Sequence, residues 1–386
     1  MKTKRFSWKL LLLCAIPFVP LLAVTSRDVA YRVASSLWPP LREGLSYELK
    51  NSVHVKGDLK TIKQLVARGA DVNHARYGWP PLANAIAGQR TDLALFLVQS
   101  GANPNFRVST NGSTLLYKAA TELNSPPLVR EMLRRGAAMK SANGSNEVPL
   151  LVSALFWGKN QTARVLIEAG ADVNESAHAF GMNRTALMMA AEKGDVKLIE
   201  MLLKHGADVN AQVTSSHNKG NTALMFAAHK QNANVVEMLL KHGANPNLVP
   251  QKRFDDTSQS ALLQAVVNYM GQPQKLSPDQ RRMIRALLAH GANVNLGNEY
   301  SMPLQSVSSR FAPDVVREFL KRGAKVNWQN VDGWSALMSA ASVGDLQTVK
   351  LLLQAGANKS LRDEDGKTAL YWARREKHLD VVRVLE

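Results

Sequence analysis

One cysteine serves the whole 386-residue chain, and it lies at position 14, inside an apolar stretch near the N-terminus. A disulfide framework and a zinc-thiolate site are therefore excluded from everything that follows it. Also missing are a Gly-x-Ser-x-Gly elbow, a phosphate-cradling Gly-rich loop and a His-Glu-x-x-His helix, so no enzyme, cofactor or metal centre is expected. Acidic residues are scarce as well: 31 against 48 basic ones, a formal charge of +17, of which +13 lies beyond residue 26. Such a chain is drawn to anionic partners in general. Many of these charges, however, sit on polar helix faces, as at Lys197, Lys204, Lys241, Arg317 and Lys350, where solvation accounts for them.

What the chain has in abundance is itself. "LIEMLLKHGADVN" (Leu198 to Asn210) returns as "VVEMLLKHGANPN" (Val235 to Asn247). The Gly-Ala pair recurs at Gly69, Gly101, Gly136, Gly170, Gly206, Gly243, Gly291, Gly323 and Gly356, spaced by 32 to 37 residues except for one interval of 48. A second marker opens the units, as in "NRTALMMAAEKGD" from Asn183 and "GKTALYWARREKH" from Gly366. Self-similarity at this period marks a tandem array, in which each unit buries its apolar face only against its neighbours.

Each unit reads as two short helices and a turn. The Thr185 hydroxyl suits the orphan N–H groups at the start of a first helix, whose narrow apolar face is Leu187, Ala190 and Ala191. Gly194 stops that helix and Asp195 caps the second. There Leu198, Ile199, Leu202 and Leu203 share a side. Lys204 and His205 complement the negative helix end, and Gly206 supplies a left-handed C-terminal cap. His205, His242 and His290 occupy that same slot in successive units, so a helix-end cation explains them without a metal.

Opening and closing letters together resemble the ankyrin repeat over about Leu45 to Glu386, with a departure where that family writes Pro-Leu-His and this chain writes Ala-Leu-Met or Ala-Leu-Tyr. The resemblance implies an all-α repeat solenoid of about ten helix-turn-helix units with finger loops, its first and last units degenerate. It implies a non-catalytic module whose concave finger face binds another protein as scaffold, inhibitor, immunity-type or protective partner. Neither a nucleic acid nor a small-molecule substrate is expected. The competing reading is an electrostatic binder of anionic membrane surface or envelope polymer.

The first 26 residues obey other rules. "MKTKRFSWK" carries four basic residues and no acid, and Leu10 to Val24 carries no charge at all. That is the pattern of an export signal or an uncleaved signal anchor, and its length leaves both open. An N-terminal apolar helix, membrane association through residues 6–25, a linker over 27–44 and an array on the periplasmic side are the expectations.

Binding specificity is sought where the repeats differ. From each Gly-Ala glycine to the leucine of the next opening motif most units count 13 to 15 residues, but three consecutive ones count 17, 18 and 19. Candidate partner contacts in these long fingers are His178, Phe180, Met182, Arg184, His217, Lys219, Arg253 and Phe254, with Tyr77, Trp79, Phe106, Tyr300, Trp328 and Trp334 elsewhere in the row. Large aromatics in loops are the residue type that dominates interface energetics. For Trp79 and Trp334 the alternative is local packing onto a neighbouring finger. The seventh unit also holds an insertion, Asn268 to Gln280, with a fresh helix start at Ser277 and Pro278.

Overall fold

The computed structural model describes residues 39–54, 57–75, 79–106, 114–139, 149–176, 183–214, 219–250, 259–267 and 275–386. Among the described residues ten helix pairs follow one another. They are α1 (Pro39–His54) and α2 (Leu59–Ala67); α3 (Pro81–Ala87) and α4 (Thr91–Gln99); α5 (Leu115–Lys118, continued by a π turn, Ala119–Leu123) and α6 (Pro126–Arg134); α7 (Leu150–Phe156) and α8 (Asn160–Glu168); and α9 (Ala186–Lys193) and α10 (Val196–Lys204). Then come α11 (Ala223–His229) and α12 (Ala233–Lys241); α13 (Ala261–Val266) and α14 (Pro278–Ala289); α15 (Pro303–Ser308) and α16 (Pro313–Lys321); α17 (Ala336–Val343) and α18 (Leu346–Gln354); and α19 (Ala369–Arg375) and α20 (Leu379–Leu385). Two isolated β bridges pair described residues at finger bases, Ser176 with Thr185 and Gln329 with Ser335.

The local rules operate as the letters dictate. The Thr185 hydroxyl accepts from the Met188 N–H and the Asp195 carboxylate from the Leu198 N–H, at 3.4 and 3.1 Å. Gly194 and Gly206 take φ of 74° and 84°, in the left-handed region that a Cβ disfavours. At Ser277 a full capping box opens α14, with Pro278 in its first turn. The three histidines turn Nδ1 to the carbonyl four residues back, each at 2.9 Å, and so close their own helix ends.

Two expectations need correcting. The first helices are not apolar on a narrow face: Ala186 through Ala191, Met188 and Met189 included, are all buried, because α9 packs against both α7 and α11 as well as its own partner α10. And α1 begins at Pro39, inside the stretch 27–44 read as linker, and runs sixteen residues, so the first unit opens with a helix twice the usual length. No described helix is long and apolar enough to cross a membrane. The segment Leu10 to Val24, on which the export reading rests, lies outside the described residues, as does most of the insertion, 268–274.

Chain contacts divide the array into two compact units: residues 1–145 with 157–171, and 146–156 with 172–386. Within both, successive repeats are tied by an asparagine four residues after the Gly-Ala glycine. Asn73, Asn105, Asn174, Asn210, Asn247, Asn295 and Asn327 each donate from Nδ2 to the carbonyl of the next unit's glycine, Gly101, Gly136, Gly206, Gly243, Gly291, Gly323 and Gly356, at 2.8–3.2 Å. Each Oδ1 accepts the N–H two residues beyond that glycine, at 2.6–2.9 Å. One side chain thus satisfies a donor and an acceptor of the neighbouring turn at once, because an amide carries both on adjacent atoms.

In the first unit, α6 carries a charged cluster. Glu131 takes Arg134 at 2.7 Å and Arg135 at 3.0 Å, and Arg135 also reaches the Gln99 carbonyl of α4 at 2.9 Å. Arg134 foremost, then Arg135, draws the Glu131 carboxyl from 4.5 down to about 2. A depressed folded-state value contributes stability above the unfolded value and loses it as pH falls through the folded one. The expected result is that Glu131→Gln lowers the urea midpoint at pH 7 and that the gap from the unmodified chain narrows steadily as pH falls from about 5 towards 2. A gap that is constant with pH would mean that the cluster is electrostatically idle.

Candidate functional site

The fingers of the second unit are laced into one another through their backbones. The loop after α14 closes on itself with Asn298 N–H to the Ser301 carbonyl, 3.0 Å, and the Asn298 side chain accepts from Tyr300 and Ser301. In the next finger Asn330 N–H donates to the Trp334 carbonyl at 3.1 Å while Trp334 N–H returns to Asn330 Oδ1 at 2.7 Å. The last finger repeats the scheme with Asp363 and Lys367, at 3.0 and 2.7 Å. Bonds then run between fingers: Val331 N–H to the Glu299 carbonyl and Glu364 N–H to the Asp332 carbonyl, both 3.0 Å, with Asn330 Nδ2 to the Tyr300 carbonyl at 3.3 Å. The three loops form one ledge, held by backbone hydrogen bonds within each loop and between neighbouring ones.

Aromatic rings stand where this ledge meets the first helices. Trp334 meets Trp372 of α19 edge-on, centroids 4.6 Å apart, and Tyr371 meets Trp372 at 5.6 Å and 89°. Both indole N–H groups are engaged, Trp334 with Ser339 Oγ and Trp372 with Asp363 Oδ2, each at 2.8 Å. The Arg375 guanidinium lies 4.8 Å from the Trp372 ring and the Lys367 ammonium 4.7 Å from that of Tyr371. Around this cluster large apolar side chains stand in solvent, Tyr371 42% exposed and Tyr300 and Val331 at adjoining finger tips 48% and 46% exposed, with the exposed acids Glu299 and Asp332 beside the latter two.

The sequence-derived candidates divide accordingly. Trp334 and Tyr300 are brought into this ledge, and Trp328 lies half-buried at the root of the same finger. Trp334 also fulfils the local-packing alternative, since its ring bears on the neighbouring repeat. Arg184 is engaged internally: its side chain is 14% exposed, paired with Glu192, and 4.3 Å from the Phe226 ring centroid. Lys219 is exposed at its finger, and Trp79 (40% exposed) and half-buried Phe106 belong to the first unit. Tyr77, His178, Phe180, Met182, His217, Arg253 and Phe254 lie outside the described residues.

Two members of the cluster escaped the sequence reading, Tyr371 and Trp372. Their signal is visible in retrospect: "ALYW" puts two large rings where other openings write "ALMM", "ALMF" or "ALMS". Attention to loops alone passed over first-helix positions that face the same ledge.

Comparison with known proteins adds the following. A family model described as ankyrin repeats, in three copies, matches residues 51–143, 116–213, 150–250, 212–298 and 304–386. The B-cell lymphoma 3 protein homolog of Mus musculus is 27% identical over 170 residues, 43% of this chain and 37% of the mouse protein. Among solved structures, an ankyrin repeat domain from Acinetobacter baumannii is 30% identical, covering 52% of this chain and 95% of that one with a TM-score of 0.42. A chain from the complex of a predatory endopeptidase with an immunity protein, from Bdellovibrio bacteriovorus, is 26% identical over 55% of this chain and 98% of that one, TM-score 0.42. The chain spans well under half the length of the curated relatives it matches.

Proposed function

Since the chain belongs to the ankyrin-repeat family, whose arrays are protein-protein interaction modules, we propose that it is an exported, membrane-tethered member that holds another protein against its finger ledge, as a scaffold, inhibitor or immunity-type protective partner. One observation carries the binding site: Tyr300, Val331 and Tyr371 are large apolar side chains left in solvent on a ledge whose fingers are joined to one another by backbone hydrogen bonds. Exposed anchors on a pre-ordered scaffold lose little entropy on association, which is the arrangement of an interface hot spot. The export half rests on the sequence: the basic flank, the uncharged run Leu10 to Val24, and an array that carries no thiol. Residues 1–26 act as signal or anchor, and the array begins at α1.

The test is a pull-down with the tagged chain from envelope extracts at low and moderate salt, beside the surface variant Val331→Asp/Tyr371→Ala, with circular dichroism to verify its fold. A stoichiometric protein that survives salt and drops at least tenfold in the variant is the expected result. Capture of only lipid or polymer, abolished by salt and indifferent to the variant, would replace this reading with the electrostatic one. Export is read separately, from the activity of alkaline phosphatase fused after Glu386.

A further inference from the structure

The chain at large is strongly basic, +17, but the ledge is not. Its three fingers, 296–302, 328–334 and 361–367, hold five carboxylates against two cations, Arg362 and Lys367, a net charge of −3. Both cations are engaged within their own repeat: Arg362 donates to the Gly366 carbonyl at 2.7 Å, and the Lys367 ammonium lies over the Tyr371 ring. Of the carboxylates, Asp363 is taken up by the Trp372 indole, whereas Glu299, Asp332, Glu364 and Asp365 are exposed. Among the described residues none of these four is in an ion pair, although on the nearby helix α16 Asp314 and Glu318 are each paired with arginine.

The backbone bonds that join the fingers also fix where these groups stand. The Glu299 and Asp332 carbonyls accept from the Val331 and Glu364 N–H groups, so Glu299, Asp332 and Glu364 are set side by side, one to a finger. Apolar groups are interleaved with them, since Tyr300 follows Glu299 and Val331 precedes Asp332 in the chain. Among the described residues no three acidic or histidine side chains gather closely enough to hold one metal ion. A ligand matched to the ledge is therefore extended, carries several positive charges, and has apolar groups between them.

We infer that what the ledge holds is a basic segment of another protein, its arginines or lysines on Glu299, Asp332 and Glu364 and its apolar side chains against Tyr300, Val331 and Tyr371. The inference rests on the ledge being the binding site and adds the chemistry of its occupant. Charge complementarity of this kind sets register and association rate, while the apolar anchors supply the affinity. The positive surplus of the chain at large disfavours a basic partner away from the ledge, so the local reversal of sign acts as a specificity device. The same sign repels an anionic lipid or polymer from this face.

Fluorescence anisotropy on the full-length chain in mild detergent tests the sign. The probe is a labelled peptide of arginine and valine, beside a counterpart with glutamate for each arginine and a blank of detergent alone. The arginine peptide is expected to bind, and to bind about tenfold more weakly to Glu299→Gln/Asp332→Asn/Glu364→Gln, which removes three charges and leaves the backbone bonds between fingers in place. The glutamate peptide, which the net charge of the whole chain favours, should not distinguish the two forms. An arginine peptide that fails to bind, or binds both forms equally, would overturn the inference. Partner capture separates this outcome from the fate of the ledge itself. Capture lost in Val331→Asp/Tyr371→Ala but kept in the charge-neutral variant discards the basic segment and retains the ledge, whereas capture kept in both discards the ledge and the inference with it.

Discussion

Replacing Gly333 by alanine is expected to destabilise the C-terminal repeats by about 2–4 kcal/mol, the sum of a left-handed backbone forced on a Cβ and a clash that cannot relax. Gly333 has φ of 73°, and a Cβ there would stand 2.7 Å from Asp363 Cα and 3.0 Å from the Arg362 carbonyl oxygen. Those atoms belong to the next finger and cannot retreat. Asp363 is held by its N–H to the Lys367 carbonyl at 3.0 Å and by Trp372 Nε1 on its carboxylate at 2.8 Å. The fingers must therefore part, and with them go the Glu364 to Asp332 bond and the Trp334 to Trp372 contact. Gly366→Ala is the matched control: its φ is 74°, but a Cβ there meets nothing within 4 Å. It retains the backbone penalty alone, about 1–2 kcal/mol. Urea titration of both variants, followed by tryptophan fluorescence, separates the two contributions. Equal midpoints would show that the fingers are not pressed together as described, and the ledge would lose its claim to be pre-ordered.

The contrast between those two glycines also measures what the letters alone reveal. Caps are local, so Thr185, Asp195, Gly206 and the Ser277–Pro278 start could be assigned from a few neighbouring residues, and the structure places each in its role. The asparagine clamps could not. Asn210 reads as an ordinary loop residue until the next repeat is laid beside it, when its amide proves to span a 33-residue separation to Gly243. The same reason hid the breadth of the first-helix core. Met188 and Met189 are both buried because α9 has a neighbour on each side, and a helical wheel drawn for one unit has no place for the second neighbour. For the ledge, Trp334 and Tyr300 were within reach because they are aromatics in loops. Tyr371 and Trp372 were not, because they sit on a first helix, where the equivalent Met188, Met189, Met225 and Phe226 of other repeats are buried core.

Phe319→Ala should be the most damaging single truncation, at about 3–5 kcal/mol, the range for emptying a fully enclosed phenyl site. Phe319 is 0% exposed on α16, which packs against α15 in its own repeat and α18 in the next. Close-packed surroundings cannot collapse far into so large a void. Leu379→Ala supplies the opposite case: with 66% of the residue already in water, little change is expected. In a globular core the loss would spread over the whole molecule. Here each repeat is stabilised by its neighbours, so the damage should be read out between 303 and 354 by hydrogen exchange and barely at 59–134, several repeats away along the chain. The site sits on the damaged side: Tyr300 precedes α15 directly, and the finger of Val331 and Trp334 leads into α17. A cavity at Phe319 therefore loosens the ledge from beneath, and partner capture should fall even though no contact residue has changed. Capture that persists while 303–354 loses protection would move the binding site away from this ledge, toward the finger row of the earlier repeats.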